Sequence, residues 1–194
     1  MQFLDETGCN QAMTPEYARS ACGERAISKV PETRGKQISI IGVIGIEKIT
    51  DWERFEGPID QFIFIFYIEN SLSKVWNQDD YLVMDNATIH KTPLVIFTLN
   101  KHKIKFIFLP PYHPNLNPIE LFWSVLKSFL RSVEARTKTE LFICIHEAFR
   151  QLKKLDLAPL FKKCGYFLLD ILKSKFNFNL LDELMKLTNQ LNPC

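Results

Sequence analysis

The sequence predicts an α/β fold with a mixed β-sheet, and three features of the chain support this prediction. Apolar runs typical of strands occupy residues 37–45 and 81–85. A further run, IKFIFLP at residues 104–110, follows after a helical segment, which is the spacing of a parallel strand-helix-strand unit. Residues 1–4 form another short apolar run, and the two early strands favour a mixed sheet over a fully parallel one.

The first half of the chain contains one ambiguous element. The polar stretch at residues 17–36 is predicted to connect the first two strands. FIFIFYIENSLSKVW, residues 62–76, has strand propensity but also fits one face of a helix. A helix is favoured, because a strand through Ile68 leaves barely the dozen residues that a parallel crossover to Tyr81 needs. The predicted apolar face of this helix comprises Phe62, Ile65, Phe66, Leu72 and Trp76.

Two prolines mark the starts of helices in the later part of the chain. Pro93 after Thr92 predicts a helix to about Lys101. The Pro-rich stretch LPPYHP is incompatible with a helix or a central strand, so it is predicted to be a stiff loop. Asn117 and Pro118 then begin a longer helix. Its predicted apolar stripe comprises Ile119, Phe122, Trp123, Leu126 and Leu130.

The carboxyl-terminal region is predicted to be helical. Thr137 and Glu140 have the spacing of a capping box at the start of a helix. One apolar face of this helix comprises Leu141, Ile145, Ala148, Phe149 and Leu152. Smaller helices are expected in the last forty residues.

Composition and charge restrict the classes of protein to which the chain can belong. Its 194 residues are 46% hydrophobic and 24% charged, as in a globular domain, and the hydrophobic runs are too short to span a bilayer. No signal peptide is recognised, so an intracellular location is expected. The five cysteines form no C-x-x-C pair, which argues against a zinc knuckle or a disulfide framework. Residues 1–97 carry nine basic and fourteen acidic side chains and residues 98–194 carry fifteen and eight, which indicates a polyanionic partner for the second half.

Two segments place polar residues where α/β folds bind ligands. Asp85 and Asn86 end the apolar run of the strand at 81–85, and His90 follows four residues later. Glu120 occupies the third position of the helix that begins after Asn117. It can complete a capping box with Asn117 or face a site, and spacing alone leaves both roles open.

These segments resemble the catalytic core of mariner-type and related bacterial insertion-sequence transposases, members of the DDE transposase/integrase superfamily. The motifs that carry the resemblance are FLDETG, GERAISKVPETRGKQISIIGVIG, MDNATIH and LPPYHPNLNPIELFWSVLK, within residues 1–131, with a weaker likeness at KKCGY. The family implies a ribonuclease H-like fold, in which helices flank a mixed five-stranded sheet with adjacent first and fourth strands. This domain is expected over residues 1–135, with a helical extension over residues 136–194 packed on it.

The resemblance also implies a set of catalytic residues. The family's three acidic ligands fall on Asp5, Asp85 and Glu120, and 34 residues separate the last two, as in the Asp-Asp-Glu branch. Adjacent first and fourth strands would bring Asp5 and Asp85 together. Three carboxylates suit Mg²⁺ or Mn²⁺, and two such ions about 3.5–4 Å apart can stabilise the attacking and leaving oxygens of a phosphodiester. Without metal, at least one carboxylate is expected to have a raised pKa.

Several other polar residues are candidates for a role in this site. Asn86, His90 and Asn117 either support the carboxylates, contact DNA or only shape local turns. Glu6 should face the opposite side of the strand from Asp5, which favours a structural or solvent-facing role, and Trp123 is expected in the core. The basic candidates for DNA contact, which otherwise form a solvated surface, are Lys127 and Arg131 on the helix of Glu120, and Lys101, Lys103 and Lys105.

The resemblance implies the catalytic domain of a DNA transposase, which cleaves and transfers DNA strands with a divalent metal. The expected partners are transposon-end and target DNA and further copies of the chain in a homodimer or synaptic complex, in the bacterial cytoplasm. Family members carry a helix-turn-helix domain before the first catalytic strand, whereas four residues precede Asp5 here, so a separate amino-terminal DNA-binding polypeptide is a further expected partner. Two alternatives stay open, namely a decayed, non-catalytic DNA-binding remnant and a ribonuclease H-like nuclease acting on RNA.

Overall fold

A computed structural model describes residues 1–27, 31–111 and 113–166, which form a β-sheet with helices on both faces. The strands are β1 (Gln2–Cys9), β2 (Ile38–Gly45), β3 (Ile49–Glu56), β4 (Tyr81–Met84) and β5 (Lys105–Phe108). The helices are α1 (Gln61–Tyr67), α2 (Ser73–Val75), α3 (Pro93–Lys101), α4 (Pro118–Val133), α5 (Lys138–Leu152) and α6 (Ala158–Lys163).

The five strands are arranged in the order β3-β2-β1-β4-β5. The first three strands along the chain pair antiparallel, whereas β4 pairs in parallel with both β1 and β5. The predictions of a mixed sheet, of adjacent first and fourth strands and of a parallel strand-helix-strand unit are therefore confirmed. The observed arrangement is the five-stranded sheet of the ribonuclease H-like fold.

Strand β1 is longer than predicted, and Asp5 lies within it and not at its end. All eight of its residues pair with β2, but its parallel pairing with β4 covers only residues 2–4. The odd-numbered residues from Phe3 to Cys9 are all buried on one face, so the alternation that defines a strand continues past Asp5. The strand end that matters for the site is therefore that of β4.

No strand was predicted where β3 lies. Its sequence, ITDWERFE, is half charged, and every residue of the strand keeps some exposure to solvent. It is an edge strand, and charged residues on edge strands block pairing with other chains, so its composition is that of a surface segment. Its pairing with β2, and not its own hydrophobicity, makes it a strand.

Residues 61–75 are helical as predicted, but the predicted apolar face is wrong in part. Asp60 begins α1, since its carboxylate accepts the backbone N–H groups of Phe62 and Ile63 at 2.9 Å. Phe62 and Phe66 are 63% and 57% exposed, whereas Phe64 packs against the sheet. Residues 62–68, FIFIFYI, are all apolar or aromatic, so periodicity did not define one face of α1. A π-helical turn, Ile68–Leu72, also adds a residue to the turn and shifts the register between α1 and α2.

The two faces of the sheet carry separate apolar clusters. Helices α4, α5 and α6 cover one face, where all five residues of the predicted α4 stripe are buried, while α1 and α3 cover the other. The capping box at Thr137 is present, and the five predicted apolar residues of α5 are buried. The predicted helices of the last forty residues are represented by α6, and residues 167–194 lie outside the described residues. The domain boundary at residue 135 stays a prediction.

Candidate active site

Asp5 lies on the face of the sheet that α4 covers, in line with Phe3 and Cys9. Leu4 pairs with Met84, the last residue of β4, so Asp5 and Asp85 take the next positions on adjacent parallel strands. Asp5 is only 7% exposed. The sheet thus places these two predicted residues next to each other at the end of β4, as expected.

Asp85 is held by two donors after the strand ends. Its Oδ1 accepts the backbone N–H of Ala87 at 2.9 Å and forms an ion pair with Nδ1 of His90 at 2.8 Å. The hydrogen bond from His90 lowers the pKa of Asp85, and the N–H of Ala87 acts in the same direction. Asp85 is therefore a stable carboxylate at neutral pH.

Glu120 lies in the first turn of α4, exposed to solvent. The capping-box alternative is wrong, because the side chain of Asn117 makes no capping hydrogen bond to the helix. The Oδ1 of Asn117 is instead buried and lacks a partner within the described part of the chain. Glu120 and Asn117 line a cavity of about 450 Å³ together with Asp85, Asn86 and the Pro-rich loop.

The electrostatics of Asp5 show that the three acids interact. The pKa of Asp5 is raised to about 8, mainly by burial and also by the negative charges of Glu6, Glu120 and Asp85, against a backbone hydrogen bond from Glu6 that lowers it. The raised pKa that was expected of one carboxylate in the metal-free cluster thus falls on Asp5. A nearby cation would relieve this repulsion.

His90 is completely buried and contacts both Glu6 of β1 and Asp85 at the end of β4. Its Nε2 contacts Oε1 of Glu6 at 2.8 Å, and its Nδ1 contacts Asp85, so a carboxylate lies on each side of the ring. Burial alone would lower the pKa of His90, but the hydrogen bonds with Asp85 and Glu6 outweigh it and raise the pKa to about 10. Glu6 does face the opposite side of β1 from Asp5, and there it holds the histidine that holds Asp85.

Trp123 has a contact that the sequence interpretation missed. It is buried in the core as predicted, but its Nε1 also donates a hydrogen bond to Oδ2 of Asp5 at 3.1 Å. Two sequence signals could have indicated this contact. Trp123 lies three residues after Glu120 and therefore on the same side of α4, and a buried indole N–H usually requires an acceptor.

The predicted basic residues lie away from the carboxylates. Lys127 and Arg131 follow Glu120 by seven and eleven residues, which is about 10 and 16 Å along a helix. Arg131 forms an ion pair with Glu16 at 2.7 Å, and Lys101 forms one with Glu69 at 2.7 Å. These residues are not gathered around the acids, and their contact with DNA stays a prediction.

The oxygen atoms that line the site are of the chemical type that binds a hard cation. Carboxylate oxygens and the unpartnered Oδ1 of Asn117 are ligands that Mg²⁺ and Mn²⁺ prefer. Among the described residues, no group of three or more His, Cys, Asp or Glu side chains is arranged to hold a metal ion as it stands. The orientation of Asp85 toward His90 is consistent with this, since its Oδ1 is already bound by two donors.

The chain belongs to the family of DDE superfamily endonucleases, which it matches over residues 1–142. No curated protein sequence matches it significantly. Among solved structures, it is similar to the Mos1 mariner paired end complex with Mn (17% identity, TM-score 0.62, covering 84% of this chain and 51% of that chain). It is also similar to the Mos1 strand transfer complex (16% identity, TM-score 0.63, covering 100% of this chain and 55% of that chain). A third similar structure is the catalytic domain of Mos1 mariner transposase (14% identity, TM-score 0.57, covering 84% of this chain and 74% of that chain).

These comparisons confirm the family and the ribonuclease H-like fold that the sequence motifs indicated. The chain spans about half the length of the first two Mos1 chains and about three quarters of the catalytic domain. No helix among the described residues is long and apolar enough to cross a membrane.

Proposed function

We propose that this chain is the catalytic domain of a mariner-type DNA transposase, which cleaves and transfers DNA strands with a divalent metal. The observation that carries the proposal is the buried Asp5, whose pKa is raised to about 8 by burial and by the charges of Glu6, Glu120 and Asp85. A core that only supported a fold would gain nothing from a buried carboxylate beside three other acids. A site that binds cations needs this arrangement.

In this proposal Asp5, Asp85 and Glu120 hold Mg²⁺ or Mn²⁺, with two ions in the working complex. Bound metal would activate the attacking oxygen and stabilise the charge on the leaving oxygen of the phosphodiester. The carboxylates supply the negative charge that binds the cations. Support comes from the carboxylate-rich donor set and from the solved Mos1 structures with Mn or Mg.

The neighbours of the carboxylates have separate tasks. His90 holds Asp85 through one ring nitrogen and Glu6 through the other, so it fixes the end of β4 against β1. Asp85 would turn one oxygen toward the cation while His90 keeps its position. Asn86 and Asn117 line the cavity and offer amide groups to a DNA strand or to water around the metal.

The proposed partners are DNA, a second copy of the chain and a separate DNA-binding polypeptide. DNA supplies both the transposon ends and the target, and the excess of basic residues in the second half of the chain matches a polyanion. A second copy of the chain would complete a homodimer or synaptic complex, since the similar Mos1 structures include a paired end complex and a strand transfer complex. A separate amino-terminal DNA-binding polypeptide would select the ends, and the bacterial cytoplasm is the proposed location.

The direct test is nicking of supercoiled plasmid by the purified chain with Mn²⁺. The parent should convert the plasmid to open circles, whereas Asp85→Asn and Glu120→Gln should lose the activity by at least a hundredfold, because an amide keeps the shape but not the charge. Asp79→Asn is a matched control, since Asp79 is exposed just before β4, at the opposite end of the strand from Asp85.

Three outcomes would overturn the proposal. Parent-like nicking by Asp85→Asn would show that the activity does not use the assigned acids. A folded parent that never nicks would favour the decayed remnant, and preferential cleavage of an RNA–DNA hybrid in a parallel reaction would favour the nuclease acting on RNA.

A further inference from the structure

The contact between Trp123 and Asp5 joins two residues that are almost completely buried. Trp123 is 2% exposed and Asp5 is 7% exposed, and the indole Nε1 lies 3.1 Å from Oδ2. The indole N–H is a donor only, so it cannot exchange roles with the carboxylate. With little water available to orient Asp5, this hydrogen bond makes its two carboxylate oxygens unequal.

The strand next to Asp5 is shaped to receive this indole. Gly42 of β2 pairs directly with Asp5, and a Cβ atom added at Gly42 would lie 2.5 Å from Cη2 and 3.2 Å from Cζ2 of Trp123. Both are ring atoms of a buried side chain that cannot move aside cheaply. Its neighbours Ile41 and Val43 are large and β-branched, as is usual in a strand, whereas glycine weakens a strand interior and often marks a close approach. The space for the ring is therefore created by the absence of a side chain at position 42.

We propose that Trp123 is a positioning residue for Asp5: its N–H holds Oδ2, which directs the other carboxylate oxygen toward the cation, and Gly42 provides the space for the ring. This inference rests on the proposed function, because it takes Asp5 as a metal ligand. Trp123 itself does not touch the metal or the DNA.

One consequence concerns the helix that carries Trp123. Glu120 and Trp123 lie three residues apart on α4, so this helix both supplies one proposed ligand and orients another that comes from β1. A displacement of α4 would move both together. The contact thus couples the position of Glu120 to the orientation of Asp5.

The test measures Mn²⁺ affinity by calorimetry on the metal-free chain at pH 8, without DNA. Replacing Trp123 by β-(3-benzothienyl)alanine keeps the ring shape and replaces the N–H by sulfur, and Trp123→Phe removes the donor with a smaller ring. Both variants should bind Mn²⁺ about tenfold to a hundredfold more weakly, the usual effect of removing a residue that orients a metal ligand. Trp76→Phe should bind within about twofold of the parent, because the buried Nε1 of Trp76 has no hydrogen-bond partner among the described residues.

Glycine variants provide a second arm. Gly42→Ala should weaken Mn²⁺ binding as Trp123→Phe does, since the new methyl group displaces the indole from Asp5. Gly8→Ala, on the neighbouring strand, meets only the flexible end of Gln37 at 3.1 Å and should bind like the parent. Melting temperatures of all variants separate loss of affinity from loss of fold.

A spectroscopic readout follows the hydrogen bond itself. In the parent, Mg²⁺ should shift the indole N–H resonance of Trp123 more than that of Trp76, and Asp5→Asn should abolish this shift. If the benzothienyl variant binds Mn²⁺ like the parent while Asp5→Asn binds weakly, the role of Trp123 is overturned and the proposed function stands. If Asp5→Asn also binds like the parent, Asp5 is not a ligand, and both the proposed ligand set and the role of Trp123 are wrong.

Discussion

Asp5→Asn should stabilise the metal-free protein at neutral and alkaline pH, although it removes a proposed metal ligand. Asparagine has the shape of aspartate and keeps an oxygen that can accept the N–H of Trp123. It removes a negative charge that is buried beside Glu6, Glu120 and Asp85. The substitution therefore weakens cation binding and, at the same time, relieves the repulsion among the acids.

The magnitude follows from the pKa of Asp5. The folded value is about 8 against 3.8 in a model peptide, and each tenfold change in acidity corresponds to about 1.4 kcal/mol, so the cost of ionising Asp5 reaches about 6 kcal/mol above pH 8. At pH 7 the raised pKa of Asp5 reduces the free energy of unfolding by about 4 kcal/mol. Because the surroundings relax around the ionised group, the expected measured gain is at least about 1 kcal/mol.

The pH dependence gives the sign of the effect. Between about pH 4 and pH 8 the folded protein binds the proton of Asp5 more tightly than the unfolded chain does, so this group makes stability fall as the pH rises. The parent and Asp5→Asn should therefore have similar stability below pH 4 and diverge up to pH 8. Urea denaturation with EDTA, at a series of pH values from 4 to 9, measures this difference.

Asp85→Asn is the matched control, because the same chemical change should act in the opposite direction. The hydrogen bond from His90 lowers the pKa of Asp85, so its contribution to stability is present above about pH 4 and is lost as the pH falls through the lower folded value. This variant should be destabilised at pH 7. An Asp5→Asn protein that is no more stable than the parent at pH 8 would refute the account of the buried acid cluster.

Three further results are expected. Millimolar Mg²⁺ or Mn²⁺ should raise the melting temperature of the parent, by an amount equivalent to about 2.7 kcal/mol when the metal concentration is one hundred times the dissociation constant. Scanning calorimetry should show no such rise in Asp5→Asn and a smaller rise in Asp85→Asn. An equal rise in all three proteins would show that the cation binds elsewhere. Glu6→Gln should destabilise the protein more at pH 6 than at pH 9 in urea titrations, since the stability linked to the raised pKa of His90 is fully present below about pH 6.5 and is lost as the pH rises toward 10; a loss that grows from pH 6 to pH 9 would contradict this assignment. Thr137→Ala should cost about 1 kcal/mol at any pH by the same method, because Thr137 caps α5, and an unchanged midpoint would show that the cap is not needed.

Local patterns in the sequence were sufficient to predict the elements that carry a clear apolar face or a clear start signal. Strands β2 and β4, the proline-initiated α3 and α4, and the capped α5 were predicted because isoleucine-rich runs, prolines at first helical positions and a capping box act within a few residues. The motifs around Asp85 and Glu120 indicated the family, which the comparisons confirm. They also indicated the adjacent first and fourth strands that bring Asp5 and Asp85 side by side.

Only the tertiary structure determined which partner each residue meets. Strand β3 is half charged and becomes a strand through pairing with β2, and the buried side of α1 depends on the sheet beneath a segment that is apolar all round. The bond from Trp123 to Asp5 joins residues 118 positions apart, and that from His90 to Glu6 joins residues 84 apart. A local pattern can indicate that Trp123 needs an acceptor but not which residue supplies it, because these contacts arise when α4 packs across β1 and when β4 aligns with it. The sequence by itself therefore determined the acids and the elements that carry them, and packing decided how those acids are held.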